Sequence, residues 1–219
     1  MVTGMTFMES HGSGAPRPSV ATLDQLIAEA AAARGLRRLD LVAGALAGMG
    51  TGDLDDALHR LGCRLRAMAM EEELLPDPLA GPVDLSSPLV RLASLQLPGL
   101  GSGGELVTNL PAIIVAADVA RVIIEAAREV LHVAEEMCFG FADRRMLMAG
   151  EEDGAGVIVS IAVRDVDEAL PGSTAARASW RRACLILRAL GGRPVRGYRD
   201  GMLVVAMFVP REGLGCADA

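Results

Sequence analysis

Between residues 22 and 75 apolar side chains recur twice at helical spacing, with one short break between the two runs. The first run is Leu23, Leu26, Ile27, Ala30, Ala33, Leu39, Val42, Leu46 and Met49. It opens on Thr22-Leu23-Asp24-Gln25, where the Thr hydroxyl accepts from an early backbone N–H and the Gln reaches back. Gly50-Thr51-Gly52 stops it, and Asp53 and Asp56 start the second run, with Leu54, Leu58, Leu61, Leu65, Met68 and Leu75 on one face up to Pro76. Two long helices joined by a few residues fold back as an antiparallel hairpin. A single hairpin leaves much of its apolar surface uncovered, whereas two hairpins from two chains close a four-helix bundle. The pattern therefore predicts a homodimer.

The rest of the chain changes character. Residues 1–19 have no periodicity and read as a tail, so the helical domain spans 20–98 and includes a shorter helix from Asp84 to Leu97, with Pro88 in its first turn. Gly99 to Gly104 is the best boundary. From 104 to 210, strands over Glu105–Leu110 and Ala112–Val115 lead into a helix over Ala117–Glu136, with Val119, Val122, Ile123, Ala126, Val130 and Val133 facing inward. Strands Arg144–Ala149 and Gly156–Asp165 follow, then a helix Ala175–Leu190 closed by Gly191-Gly192. A hairpin of Arg193–Arg199 and Met202–Val209 turns at Asp200-Gly201, and 211–219 is a second tail. The expected class is α+β: a helical hairpin followed by an α/β sandwich.

Charge and composition narrow the function. The net charge is −7, and every basic residue is Arg. An acidic balance argues against a nucleic-acid binder. The absence of Lys excludes a phosphate-binding P-loop Lys. Cys63, Cys138, Cys184 and Cys216 form no C-x-x-C, which fits a reducing, cytoplasmic setting. The N-terminus lacks a basic region followed by an apolar one, so no secretory signal is expected. The most apolar stretch, Leu110 to Met137, is interrupted by Asp118, Arg121, Glu125 and Arg128, so no membrane span is expected either.

Most catalytic motifs fail. Gly99-Leu100-Gly101-Ser102-Gly103-Gly104 matches G-x-G-x-x-G, but it follows a helix and precedes a strand, the reverse of a dinucleotide site. His11, His59 and His132 are not spaced as ligands, so no metal is expected. No G-x-S-x-G is present. Glu71-Glu72-Glu73 reads as a solvated helix face. Arg34, Arg37 and Arg38 cluster on the first helix, either as a solvated face or as a docking surface for an acidic partner.

Arg64-Leu65-Arg66-Ala67-Met68-Ala69-Met70-Glu71-Glu72-Glu73-Leu74-Leu75 resembles the second dimerisation helix of the HWE/HisKA_2 group of sensor histidine kinases. The order of parts over residues 20–210 is similar too. The layout also resembles the alphaproteobacterial histidine phosphotransferases, dimeric relay proteins whose kinase-like second domain no longer binds ATP. The resemblance implies a phospho-accepting His just before Arg34, where this chain has Ala32 and Ala33. In the helix that should bind ATP and magnesium, Glu125 matches the family's acidic residue, and Glu129 stands at the Asn position. The chain's one Asn, Asn109, lies in an expected strand. Asp165 matches the adenine-contacting Asp, but Asp167 and Ala169 stand where glycines should follow. The second glycine-rich motif reads Ala178-Ser179-Trp180-Arg181-Arg182, and a bulky Trp there is expected to fill a pocket, not line one.

The resemblance thus implies a two-component signalling protein without the usual acceptor His and without ATP or another cofactor. Its expected role is a dimeric adapter that binds a receiver domain or a partner kinase, with Arg34, Arg37 and Arg38 as docking residues. The alternative is an active phosphotransferase using His59, the only His between 20 and 98.

Overall fold

The computed structural model describes residues 73–77, 81–96, 105–137, 145–164, 174–199 and 202–214, together with isolated positions between 25 and 70. Every described position from 25 to 43 and from 62 to 70 is helical. A side-chain hydrogen bond from Gln25 to Glu29, 3.0 Å, spans one turn of the first of these helical stretches. The hairpin turn at Gly50-Thr51-Gly52 lies outside the described residues.

The described core is a five-stranded sheet with helices on one face. In chain order the elements are β1 (Val83–Asp84), α1 (Ser86–Gln96), β2 (Glu105–Asn109), β3 (Ile114–Val115), α2 (Ala117–Met137), β4 (Arg145–Asp153), β5 (Gly156–Arg164), α3 (Thr174–Arg188), β6 (Arg193–Arg199) and β7 (Met202–Pro210). A short 3₁₀ turn, Arg211–Leu214, follows β7. The sheet order is β2-β4-β5-β7-β6, with β2 parallel to β4 and the other neighbours antiparallel. The short strands β1 and β3 pair separately.

Strand alternation sorts the sheet's two faces. Met146 and Met148 of β4 share a face with Val157, Val159, Ile161 and Val163 of β5 and with Leu203, Val205, Met207 and Val209 of β7, and all are buried. Helices α2 and α3 cover this face, and Ile123, Ile124, Leu131 and Leu187 lie with it in one apolar cluster. Leu74, Leu85, Leu89 and Leu92 extend the cluster under α1.

Two local differences from the sequence expectations, and one agreement with them at the end of α3, have physical causes. Asp84 ends β1 and caps α1 instead of starting it: its carboxylate accepts from Ser86 N–H at 2.9 Å, from Ser86 Oγ–H at 2.8 Å and from Ile113 N–H at 3.1 Å. These donors hold its pKa below the ordinary carboxylate value. Strand β4 runs on to Asp153 because its charged end, Glu151-Glu152-Asp153, stays exposed while still pairing with β5. Helix α3 closes with Gly192 N–H bonded to Leu187 C=O at 2.8 Å and Gly191 N–H to Arg188 C=O at 3.0 Å, a Schellman end with Gly191 at φ 72°.

Candidate functional site

Helix α2 is buried on nearly every side from Val122 to Ala134, including three of its charges. Glu125 and Glu129 are fully buried, and Arg128 is almost so. The 3.6-residue period places these charges one turn apart, and their ion-pair partners neutralise them. Arg128 Nη1 donates to Glu125 Oε1 at 2.8 Å. Arg182 on α3 reaches across to Glu129 Oε2 at 2.9 Å, and the same Nη2 donates to the buried Ser179 Oγ at 2.8 Å. A charge inside a helix interface persists only when it is paired in this way. The network therefore fixes the rotation of α3 against α2.

That rotation presents the neighbouring residues outward. Val133 of α2, Ala176, Arg177, Trp180 and Arg181 of α3, and Arg196 of β6 line a cavity of about 230 Å³. Arg196 lies over the Trp180 ring, 5.8 Å from its centroid, a cation–π geometry. Arg177, Arg181 and Arg196 are exposed, and none forms an ion pair with a carboxylate among the described residues. Trp180 is half-buried and walls this cavity, which corrects the expectation that it fills a pocket: the indole packs against the apolar cluster, and a guanidinium lies over its ring.

The lining consists of three guanidiniums, an indole and two aliphatic side chains, so it offers anion binding and apolar contact but no nucleophile or general base. A more open hollow of about 360 Å³ sits beside the start of α1, lined by Ser86, Ser87, Val90, Arg91, Thr108, Asn109 and Leu110. Cys184, on α3, is partly buried, and burial pushes its thiol above the ordinary value, which keeps it protonated and unreactive near neutral pH.

The residues singled out in the sequence divide sharply. Arg34, Arg37, Arg38, His59, Asp165, Asp167 and Ala169 lie outside the described residues. Glu125, Glu129, Trp180, Arg181 and Arg182 are described: Glu129 meets Arg182 at the α2–α3 contact, Glu125 pairs with Arg128 within α2, and Trp180 and Arg181 line the cavity. Arg177 and Arg196 were not among the sequence candidates. A charge count would have found them: residues 174–199 hold seven of the chain's 21 arginines and no carboxylate.

No family model matches the sequence, and no curated protein matches it. Solved structures do. A blue-light activated histidine kinase from Erythrobacter litoralis superposes with a TM-score of 0.53 at 17% identity, covering 91% of this chain and 63% of that one. The histidine kinase domain of the same protein gives 0.51 at 17% identity, covering 87% of this chain and 93% of that one. A bacterial phosphotransferase gives 0.52 at 11% identity, covering 87% and 97%. The chain thus spans about 63% of the length of the first of these kinases. Among the described residues, no helix is long and apolar enough to cross a membrane. The five-stranded sheet with its helical layer has the fold of a histidine kinase core, shared with the phosphotransferase.

Proposed function

We propose that the chain is a two-component signalling adapter that keeps the kinase architecture and works by docking partners. It forms a homodimer through the helices of 20–98 and binds a receiver domain or a partner kinase, with Arg34, Arg37 and Arg38 contributing to that surface. The observation that carries this reading is Glu129. By resemblance this position belongs to a magnesium-binding Asn; here it is a fully buried carboxylate whose Oε2 is held by Arg182. A carboxylate that is fully buried and already held by a guanidinium is not free to ligate a magnesium-bound nucleotide, which supports the reading. A titration of the purified chain with a fluorescent ATP analogue and magnesium should give no binding, while receiver domains from its own genome should include one that forms a stable complex. Saturable nucleotide binding would overturn the reading.

The likeness to a bacterial phosphotransferase favours a second reading, relay of phosphate through His59. Incubation with radiolabelled phospho-receiver separates the two. Acid-labile label on the wild type, absent from His59→Ala, establishes the relay; no label with a stable complex supports the adapter.

A further inference from the structure

We infer that the arginine face of α3 and β6 docks an acidic peptide segment, one whose carboxylates flank an apolar side chain. The inference rests on the adapter reading and names a second docking surface for it, distant in sequence from Arg34, Arg37 and Arg38.

Charge is the first argument. Outside 174–199 the chain carries twice as many carboxylates as arginines, whereas this segment carries arginines alone. An isolated positive face on an acidic protein steers acidic partners to one place. Arg177 and Arg181 also lie four residues apart on α3, where like charges repel. Among the described residues no carboxylate relieves that repulsion. An arriving carboxylate would.

Shape is the second argument. The arginines surround a floor made by Val133, Ala176 and the edge of Trp180. A bare anion has no use for an apolar floor, but a peptide with an apolar side chain between two acidic ones satisfies floor and rim together. The guanidinium forks hold carboxylates by paired N–H bonds. The rim is also partly pre-ordered: Arg196 is seated on Trp180, and Arg182 locks α3 from its other side. Ordering that precedes binding lowers the entropic cost of docking. A nucleic acid fits less well, because the chain as a whole carries a net charge of −7 and would repel a long polyanionic backbone.

Trp180 is the chain's one tryptophan, so indole emission reports on this cavity alone. The full chain would be titrated with a blocked hexapeptide alternating glutamate and leucine, at about 150 mM salt where surface attraction is already screened. The expected result is a saturable change in emission, matched by anisotropy of the labelled peptide. Arg181→Ala and Arg196→Ala should each weaken binding by about tenfold. Their melting curves should show that both variants are folded, and the glutamine–leucine peptide should not bind. Four outcomes overturn the inference: no saturation by either readout, unchanged affinity in both variants, equal binding of the glutamine–leucine peptide, or displacement of the acidic peptide by lower concentrations of pyrophosphate or oligothymidylate. The adapter reading fails separately, on nucleotide binding by the wild-type chain, which this titration does not measure.

Discussion

Arg181 and Arg182 are consecutive on α3, yet they live in opposite worlds. Arg182 turns inward, three-quarters buried, and is bonded to Glu129 and Ser179. Arg181 turns outward, exposed, on the rim of a cavity shared with Arg177 and Arg196. The helical step of 100° between neighbours makes the difference. The inner arginine is part of the architecture because its removal strands a buried charge. The outer arginines contribute little to folding and are available for recognition.

The largest effect that tests this contrast is Arg182→Ala. It leaves the Glu129 carboxylate buried without a cation, which costs about 3 kcal/mol, the low end for a broken buried pair because Arg182 keeps some exposure. For a chain of this size that lowers Tm by roughly 6–12 °C, read by circular dichroism. Replacing both partners, Glu129→Leu with Arg182→Leu, should recover most of the loss, since an apolar pair of similar volume needs no neutralisation. If Arg182→Ala melts no lower than Arg181→Ala, the distinction between inner and outer arginines collapses.

Gly192→Ala is next. An added Cβ would press into the backbone carbonyl of Phe208, which cannot swing away as a side chain can. A loss of about 2 kcal/mol is expected, in the upper range for single substitutions. Because this turn sets β6 against α3, the change should also pull Arg196 off Trp180 and alter indole emission before any ligand is added. Unaltered emission would mean that the Schellman end does not position the arginine face.

Asp84→Ala provides a carboxylate outside both regions, held by donors and not by a counter-charge. Loss of the cap should cost about 1 kcal/mol at neutral pH. The folded-state pKa lies below the unfolded one, so the stabilisation is full above the unfolded value and is lost as pH falls through the folded value. Urea midpoints of wild type and variant should therefore differ above about pH 5 and converge as the pH falls through the depressed folded-state value. A constant difference across that range would show that packing, not the carboxylate, supplies the effect.

Much of the fold is legible in the sequence, because β-branched runs mark β5 and β7 and glycines mark the turn after α3, whereas β4 has no β-branched residue and only its first half is legible. The expected hairpin of 193–209 around Asp200-Gly201 matches β6 and β7 to within a residue. The pairing of β1 with β3 is not legible, because two-residue strands carry no period. The candidate site is half legible. Glu125 and Glu129 stand out by resemblance, but an amphipathic reading of α2 puts charges on the water side, and their burial follows from tertiary packing, in which Arg182 of α3 meets Glu129 and Arg128 meets Glu125. The arginine face escapes for another reason. Its members come from two elements, and Arg196 belongs with Arg177 and Arg181 only because the turn after α3 folds β6 back beside the helix.

The smallest effect is the most diagnostic. Arg181→Ala removes an exposed charge four residues from Arg177, so relief of like-charge repulsion should offset the lost methylene contacts. Alanine also has the best helix propensity. The expected change in stability is within about 0.5 kcal/mol and favours the variant at low salt, with the gain fading as ionic strength rises. Matched melts at low and high salt would read it. A residue selected for folding would not behave this way. A destabilisation comparable to that of Arg182→Ala would mean Arg181 has a structural partner, and the outward face would then be a second part of the same scaffold.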